Sequence, residues 1–175
     1  MSSSTRLIHL YAFQSHLWNR AVARWVEQTL PASERMRARS PEGRLEFPTG
    51  AIPIPPQWGE SFPLVGARLE GVVDAVQREL YEFVLARLEV SPAELAIEGI
   101  PGFALKSEER ALVLRPRNLR VRPAEPDPLN AGMKLVRLSF DLPRGAYATL
   151  VVRRLFAGAS ERRAPEGRAR HPRRE

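Results

Sequence analysis

The segment AIPIPPQWG at residues 51–59 constrains the fold of this chain more than any other stretch. Its prolines, Pro53, Pro55 and Pro56, fix φ and remove backbone donors, so the segment can form neither a helix nor a central strand. We expect an extended, rigid connector between two amphipathic parts of the chain. A ligand for a proline-reading domain is the less favoured interpretation of the same residues.

Helical periodicity is present on both sides of this connector. Apolar residues recur at helical spacing over residues 6–30, which predicts a long amphipathic helix, and over residues 64–90, which predicts a second one. Residues 31–50 are polar and follow no period, so we predict a loop there. The pattern Ser-Pro-Ala-Glu at residues 91–94 is a capping box and predicts a short helix that ends near residues 99–102.

The last third of the chain carries the strand signals. Brief ones lie at residues 111–114 and 119–121, and strict alternation over 136–142 predicts a half-buried strand. A Pro-Arg-Gly turn then leads into a closing helix at residues 147–156, whose inward residues should be Leu150, Val151 and Leu155. The predicted fold class is α+β, with two long helices packed on a small, mostly antiparallel sheet.

Composition narrows the possible functions. The chain has 25 Arg and 2 Lys and a net charge of +7, which favours phosphate-rich partners, although a GC-rich coding sequence also produces an arginine excess. With no cysteine and three histidines, the sequence offers little for a metal site, and we expect no cofactor. It has neither a long apolar run nor a secretory signal pattern, so we expect no membrane span and a cytoplasmic location.

The C-terminal residues differ in composition from the rest. Residues 157–175 contain six Arg and three Glu and no core-forming side chain, so we predict a disordered basic tail. Residues 1–156 should form the folded domain.

Two distant segments carry a resemblance to a known family. They are LYAFQSHLWNRAV at residues 10–22 and FDLPRGAYATLVVRRL at residues 140–155, and both resemble motifs of the TruD-type tRNA pseudouridine synthases. Between them, FPTGAIP is similar to a proline-containing family segment, and EERALVLRPRNLRV is similar to a family strand pair. The resemblance covers residues 6–156 and implies the C-terminal region of a pseudouridine-synthase-like domain.

The resemblance implies a cofactor-free isomerisation of uridine to pseudouridine in tRNA. The family's catalytic aspartate lies in a G-x-K-D-like segment upstream of the first motif, and this sequence contains no such segment. Of the three aspartates, Asp74, Asp127 and Asp141, we expect Asp141 to lie nearest the site and assign none to catalysis. The isolated chain should therefore be inactive, and an upstream segment or a separately encoded N-terminal half would supply the aspartate.

The resemblance also names candidate RNA-contacting residues. Tyr147 matches the family's Tyr or Phe that stacks on the flipped base, and the alternative is that its ring packs the last helix onto the sheet. Arg144, Arg117 and Arg153 could hold RNA phosphates, and Gly145 shapes the turn beside them. Arg154 stands where the family usually has an acidic residue.

Polar residues within the first helix have a simpler interpretation. We expect Gln14, Ser15 and Asn19 to be satisfied by neighbouring backbone groups rather than used in chemistry. Three functions remain open: a tRNA-modifying isomerase, an inactive RNA-binding module, and a structural fragment without RNA affinity. Because a complete enzyme would extend the predicted sheet, we expect this chain to be a weakly stable monomer or an oligomer.

Overall fold

Three α-helices and eight short strands make up the part of the chain described by the computed structural model, which comprises residues 3–40, 43–96, 105–144 and 146–157. The helices are α1 (Ser3–Thr29), α2 (Ala75–Arg87) and α3 (Ala148–Phe156). The strands are β1 (Arg35–Ser40), β2 (Gly43–Pro48), β3 (Ser61–Pro63), β4 (Glu109–Ala111), β5 (Arg117–Val121), β6 (Glu125–Pro126), β7 (Lys134–Leu135) and β8 (Leu138–Asp141).

The strands form four antiparallel pairs, β1–β2, β3–β4, β5–β8 and β6–β7. The predicted α+β class is therefore confirmed. The single small sheet predicted in the last third of the chain is wrong, because the strands form separate two-stranded pairs and β1–β2 lies far earlier in the chain. The strand predicted at residues 111–114 is wrong after residue 111, because β4 covers Glu109–Ala111. The strands predicted at residues 119–121 and 136–142 are confirmed as β5 and β8. In the structure β8 is shorter than the predicted strand.

Helix α1 provides one side of the core, as its periodicity predicts. Residues three or four positions apart along it are buried, among them Leu10, Leu17, Ala21 and Trp25. This buried stripe packs against α2 and β2. The proline-rich connector is extended as expected, and it ends in a 3-10 turn at Pro56–Trp58 that inserts the Trp58 ring into the core.

The centre of the core is a cluster of aromatic rings around Phe62. The Phe62 side chain is completely buried, and its ring centroid lies 5.4 Å from that of Trp58 and 5.5 Å from that of Tyr81. Trp18 meets Phe62 edge to face at 6.3 Å, and Trp25 lies 5.3 Å from Trp58. Such edge-to-face and tilted pairs add to the stabilisation from burial alone.

The second helix is shorter than the prediction, which was wrong for residues 64–74. Asp74 caps α2, because its carboxylate accepts a hydrogen bond from the Gln77 backbone N–H at 2.9 Å. The preceding residues are held in an extended path by backbone hydrogen bonds to residues 105 and 108, and a Cβ on Gly66 would lie 3.2 Å from the Ser107 nitrogen. The apolar spacing that resembles a helix comes instead from a 3-10 turn at Leu69–Gly71.

The loop predicted at residues 31–50 is also wrong, because β1 and β2 form a hairpin there. Its charged residues pair across the strands: Arg37 donates to the buried Glu46 carboxylate at 2.8 Å, and Arg35 lies 3.7 Å from the same group. Between these charged residues, Met36 of β1 is paired with Phe47 of β2. The charged residues of this segment led to the prediction of a loop, and they are the residues that pair across the two strands.

The closing helix α3 begins after Tyr147, in agreement with the prediction. Val151 is buried and Leu150 is half-buried, but Leu155 is 48% exposed, so its predicted inward position is wrong. Helix α3 contacts β1, and Arg154 donates to the carbonyls of Pro48 at 2.9 Å and Thr49 at 3.4 Å, at the end of β2. A contact with one narrow hairpin covers only part of the helix surface, which leaves Leu155 in solvent.

The capping box predicted at residues 91–94 is present, and it starts a 3-10 helix at Pro92–Leu95. That helix ends at Leu95, because Ala96 is extended, so the predicted end near residues 99–102 is wrong. Gly145 and the basic tail from residue 158 lie outside the described residues. No helix among the described residues has the length and apolar character needed to cross a membrane.

Candidate functional site

The candidate site is built around the ring of Tyr147, at the junction of the last strand and the last helix. Tyr147 is the N-cap residue of α3, and its side chain is 51% exposed. The ring is therefore partly open to solvent, whether it stacks on a base or packs the last helix onto the sheet. A half-exposed phenol ring can present one face to a ligand.

A cation lies against this ring. The guanidinium carbon of Arg110 is 4.7 Å from the Tyr147 ring centroid and 4.4 Å from the Trp18 ring centroid. Both distances are within the range of a cation–π interaction. Trp18, Arg110 and Tyr147 come from α1, β4 and the start of α3, so three remote parts of the chain meet at this stack.

The stack is fixed to the aromatic core through Phe62. The Trp18 indole N–H donates to the Phe62 carbonyl at 2.8 Å, and Phe62 in β3 is the register partner of Arg110 in β4. The same core residue therefore positions both the indole and the arginine. This arrangement gives Arg110 a defined place under the phenol ring.

The Arg110 guanidinium has an unusual electrostatic setting. Partial burial lowers the pKa of Arg110 from its ordinary value, and the neighbouring Tyr147 and Tyr81 phenols oppose this shift. The guanidinium stays charged at neutral pH, since arginine is not deprotonated in proteins. Among the described residues it makes no hydrogen bond or ion pair with an acidic group. The stack thus combines a flat ring with a positive charge that can attract an anion.

The predicted phosphate-holding arginines lie around the same junction. Arg117 is exposed in β5 opposite Asp141, at the end of the ladder that leads into the turn, and Arg144 is exposed in that turn. Arg153 is half-buried on α3. The structure brings Arg117 and Arg144 to one end of the β5–β8 pair, and Gly145 lies outside the described residues.

Each of the three aspartates makes local hydrogen bonds. Asp74 caps α2, and Asp127 accepts hydrogen bonds from the backbone N–H groups of Leu129 and Asn130 in an exposed turn. Asp141 accepts a hydrogen bond from the Asn118 side chain at 2.6 Å. These contacts account for the aspartates structurally. Within the described ranges, no three His, Asp or Glu side chains are grouped closely enough to hold a metal ion.

The roles of two residues in this region do not follow from the sequence. Arg110 belongs to the segment EERALVLRPRNLRV, but spacing along the chain does not reveal that it lies between two aromatic rings. Arg154, which replaces an acidic residue of the family pattern, binds the Pro48 and Thr49 carbonyls and so joins the last helix to the segment FPTGAIP.

Comparison with known proteins gives one family. A family model described as tRNA pseudouridine synthase D (TruD) matches residues 59–155, which is more than half of the chain and includes Arg110 and Tyr147. No solved structure matches the chain.

Curated relatives cover most of this chain. A "Probable tRNA pseudouridine synthase D 2" of Methanocaldococcus jannaschii is 27% identical over 165 residues, which make up 89% of this chain and 37% of that protein. A "Probable tRNA pseudouridine synthase D" of Methanopyrus kandleri is 29% identical over 151 residues, or 86% of this chain and 32% of that protein. The chain therefore spans about a third of the length of these relatives.

Proposed function

The chain belongs to the TruD family of tRNA pseudouridine synthases, and we propose that it provides the base-holding part of an enzyme that converts uridine to pseudouridine in tRNA. The observation that carries this proposal is the half-exposed Tyr147 ring, backed by Arg110, within the range matched by the family model. In this proposal the chain acts in the cytoplasm on tRNA and uses no cofactor.

Tyr147 holds the flipped uracil in this proposal. An extruded base loses its stacking partners in the RNA, and a flat apolar ring replaces them at about 1–3 kcal/mol per base. Arg110 occupies one face of the ring at 4.7 Å, so the base takes the exposed face. During isomerisation the C1′–N1 bond breaks with its electron pair left on the uracil, the uracil turns, C5 bonds to C1′, and the hydrogen on C5 leaves as a proton while N1 takes one up. Stacking permits this turn because it needs no fixed hydrogen bond to the base.

The RNA backbone around the flipped nucleotide is held by arginines near the turn. Arg144 and Arg117 are exposed at the end of the β5–β8 pair that precedes Tyr147, and Arg153 follows on α3. Their guanidinium forks suit phosphate oxygens. Gly145, predicted to shape this turn, lies outside the described residues.

The catalytic aspartate comes from another segment or a partner chain in this proposal. Three observations support it. The three aspartates present already make hydrogen bonds, and the chain covers about a third of the length of its relatives. The last observation is the apolar face of the β5–β8 pair, where the Leu119 and Val121 side chains are 45% and 60% exposed. A remaining part of the domain would cover such a face.

Tritium release from tRNA that contains 5-³H-uridine tests the isomerase proposal. We expect no release with this chain alone. We expect release when the portion of the Methanocaldococcus jannaschii relative that lies outside the match is supplied, either as a separate chain or fused upstream. The matched control is the same portion without this chain. Absence of release from every combination, with tRNA binding intact, would remove the isomerase proposal.

The alternative function is an RNA-binding module without catalysis, which the surplus of exposed arginine favours. In both functions Tyr147→Ala should weaken tRNA binding by about 1–3 kcal/mol, because a stacked base loses its ring partner. Tyr147→Phe is the matched control and should bind as the wild type does, since it keeps the ring. Fluorescence anisotropy with a labelled tRNA transcript measures both. Equal affinity of the alanine variant and the wild type would show that the ring does not stack on a base.

A further inference from the structure

The β5–β8 pair has two chemically different faces. Its register places Arg120 opposite Ser139 and Val121 opposite Leu138, so side chains alternate between the faces. One face carries three exposed arginines, Arg120, Arg122 and Arg137, and the other carries the apolar side chains Leu119, Val121, Leu138 and Phe140. We call the first of these the arginine face. Arg117, assigned above to RNA contact, stands opposite Asp141 at one end of the same face, beyond an irregularity in the register between Arg117 and Arg120.

The arginine face borders a groove of about 390 Å³. The residues that line it are Arg120, Arg122, Arg137, Leu138 and Ser139. The groove is open to solvent, and three of the five residues that line it are arginines. Its size and charge suit an extended anionic chain that lies along the ladder.

The arginine face holds more positive charge than its neighbours neutralise. Arg137 forms an ion pair with Glu125 at 2.6 Å, whereas Arg120 and Arg122 have no carboxylate partner among the described residues. Arg122 also stands opposite Arg137, because its backbone N–H donates to the Arg137 carbonyl at 3.0 Å. Like charges directly opposite each other destabilise an antiparallel pair. A bound anion removes this repulsion.

We propose that the arginine face is a binding site for the phosphate backbone of the RNA substrate, and this inference rests on the proposed function. Same-face residues of a strand are about 7 Å apart, so Arg120 and Arg122 present a line of charge rather than a point. A chain of phosphates, each able to pair with a guanidinium fork, fits a line better than a single small anion does. Strand β8 continues into the turn before Tyr147, so RNA along the groove leads towards the ring.

An acidic polypeptide is the competing occupant, since carboxylates also pair with guanidinium. The proposed function favours RNA, because the substrate itself carries one phosphate per nucleotide and must pass close to Tyr147. Substitutions on the arginine face should weaken the binding of whichever occupant the groove holds, so the experiment measures the affinity for tRNA and for an acidic polypeptide.

The experiment measures the affinity of the full chain for a labelled tRNA transcript and for polyglutamate between 50 and 200 mM salt. Arg120→Gln combined with Arg122→Gln removes two charges from the arginine face. Arg68→Gln combined with Arg87→Gln removes two exposed charges elsewhere and is the matched control. Arg120→Lys combined with Arg122→Lys keeps the charge. Urea unfolding of each variant shows that it is folded.

We expect the Arg120/Arg122 glutamine variant to bind more weakly, and its slope of log affinity against log salt to be shallower by about 2. Each lost phosphate contact reduces the affinity change between 50 and 200 mM salt by about 3-fold, so two contacts reduce it by about 10-fold. The lysine variant should keep the wild-type slope, and the Arg68/Arg87 variant should stay close to it.

Three outcomes overturn the inference. One is that the Arg120/Arg122 and Arg68/Arg87 glutamine variants have the same slope. Another is that the Arg120/Arg122 glutamine variant loses affinity for polyglutamate but not for tRNA, which would assign the groove to an acidic polypeptide. The third is that the wild-type chain binds tRNA without salt dependence. None of these decides the base-stacking role, because Tyr147→Ala and tritium release test that role separately.

Discussion

Phe62→Ala is expected to lower the free energy of unfolding by about 3–5 kcal/mol, the usual cost of removing a fully buried phenylalanine. The Phe62 ring is completely buried and contacts Trp18, Trp58 and Tyr81, so the alanine variant leaves a cavity between three rigid rings. Because a native domain is stable by only about 5–15 kcal/mol, the loss is a large part of the total.

Urea unfolding followed by tryptophan fluorescence measures this effect. Trp18, Trp25 and Trp58 are all buried, so unfolding exposes every tryptophan of the chain. Phe156→Ala is the matched control, since that ring is 49% exposed and its loss should change the midpoint little. Equal midpoints for the two variants would mean that Phe62 does not form the centre of the core.

Gln14→Leu is expected to destabilise the fold by about 2–4 kcal/mol. The buried Gln14 amide donates to the Val65 carbonyl at 2.8 Å and to the Lys106 carbonyl at 2.6 Å. Leucine has a similar volume and a better helix propensity, but it leaves both carbonyls without their donor. The loss of stability therefore measures the contribution of the two hydrogen bonds and not an effect of side-chain volume.

Gln28→Leu is the control on the same helix, because Gln28 is exposed. Thermal unfolding of both variants and the wild type gives the comparison. The prediction is wrong if Gln14→Leu and Gln28→Leu unfold together, or if Gln14→Leu unfolds at the wild-type temperature.

Local patterns in the sequence were sufficient for α1, β8 and the start of α3. Their apolar spacing or alternation matches the face that each buries, so the pattern and the structure agree. The backbone partners expected for polar residues of α1 are confirmed at Gln14. The family was also predicted from the sequence, because its motifs combine glycine, proline and aromatic residues at fixed spacing, and the match over residues 59–155 confirms it.

The errors arose where distant residues decide the local structure. The β1–β2 hairpin depends on charge pairs such as Arg37 with Glu46, and these resemble loop residues until the strands are paired. The early start predicted for α2 failed because backbone bonds to residues 105 and 108 hold the chain extended before Asp74. Arg110 was overlooked as a site residue for the same reason, since only the fold brings it between Trp18 and Tyr147.

The closing helix contacts, at both ends, segments that lie far from it in the chain. Its N-cap residue, Tyr147, lies against Arg110, and near its far end Arg154 donates to the Pro48 carbonyl, 106 positions earlier. The position of the helix, and with it that of the phenol ring, therefore depends on the segment Pro48–Thr49 as well as on Arg110. A change in the path of that segment would shift the ring without altering any side chain beside it.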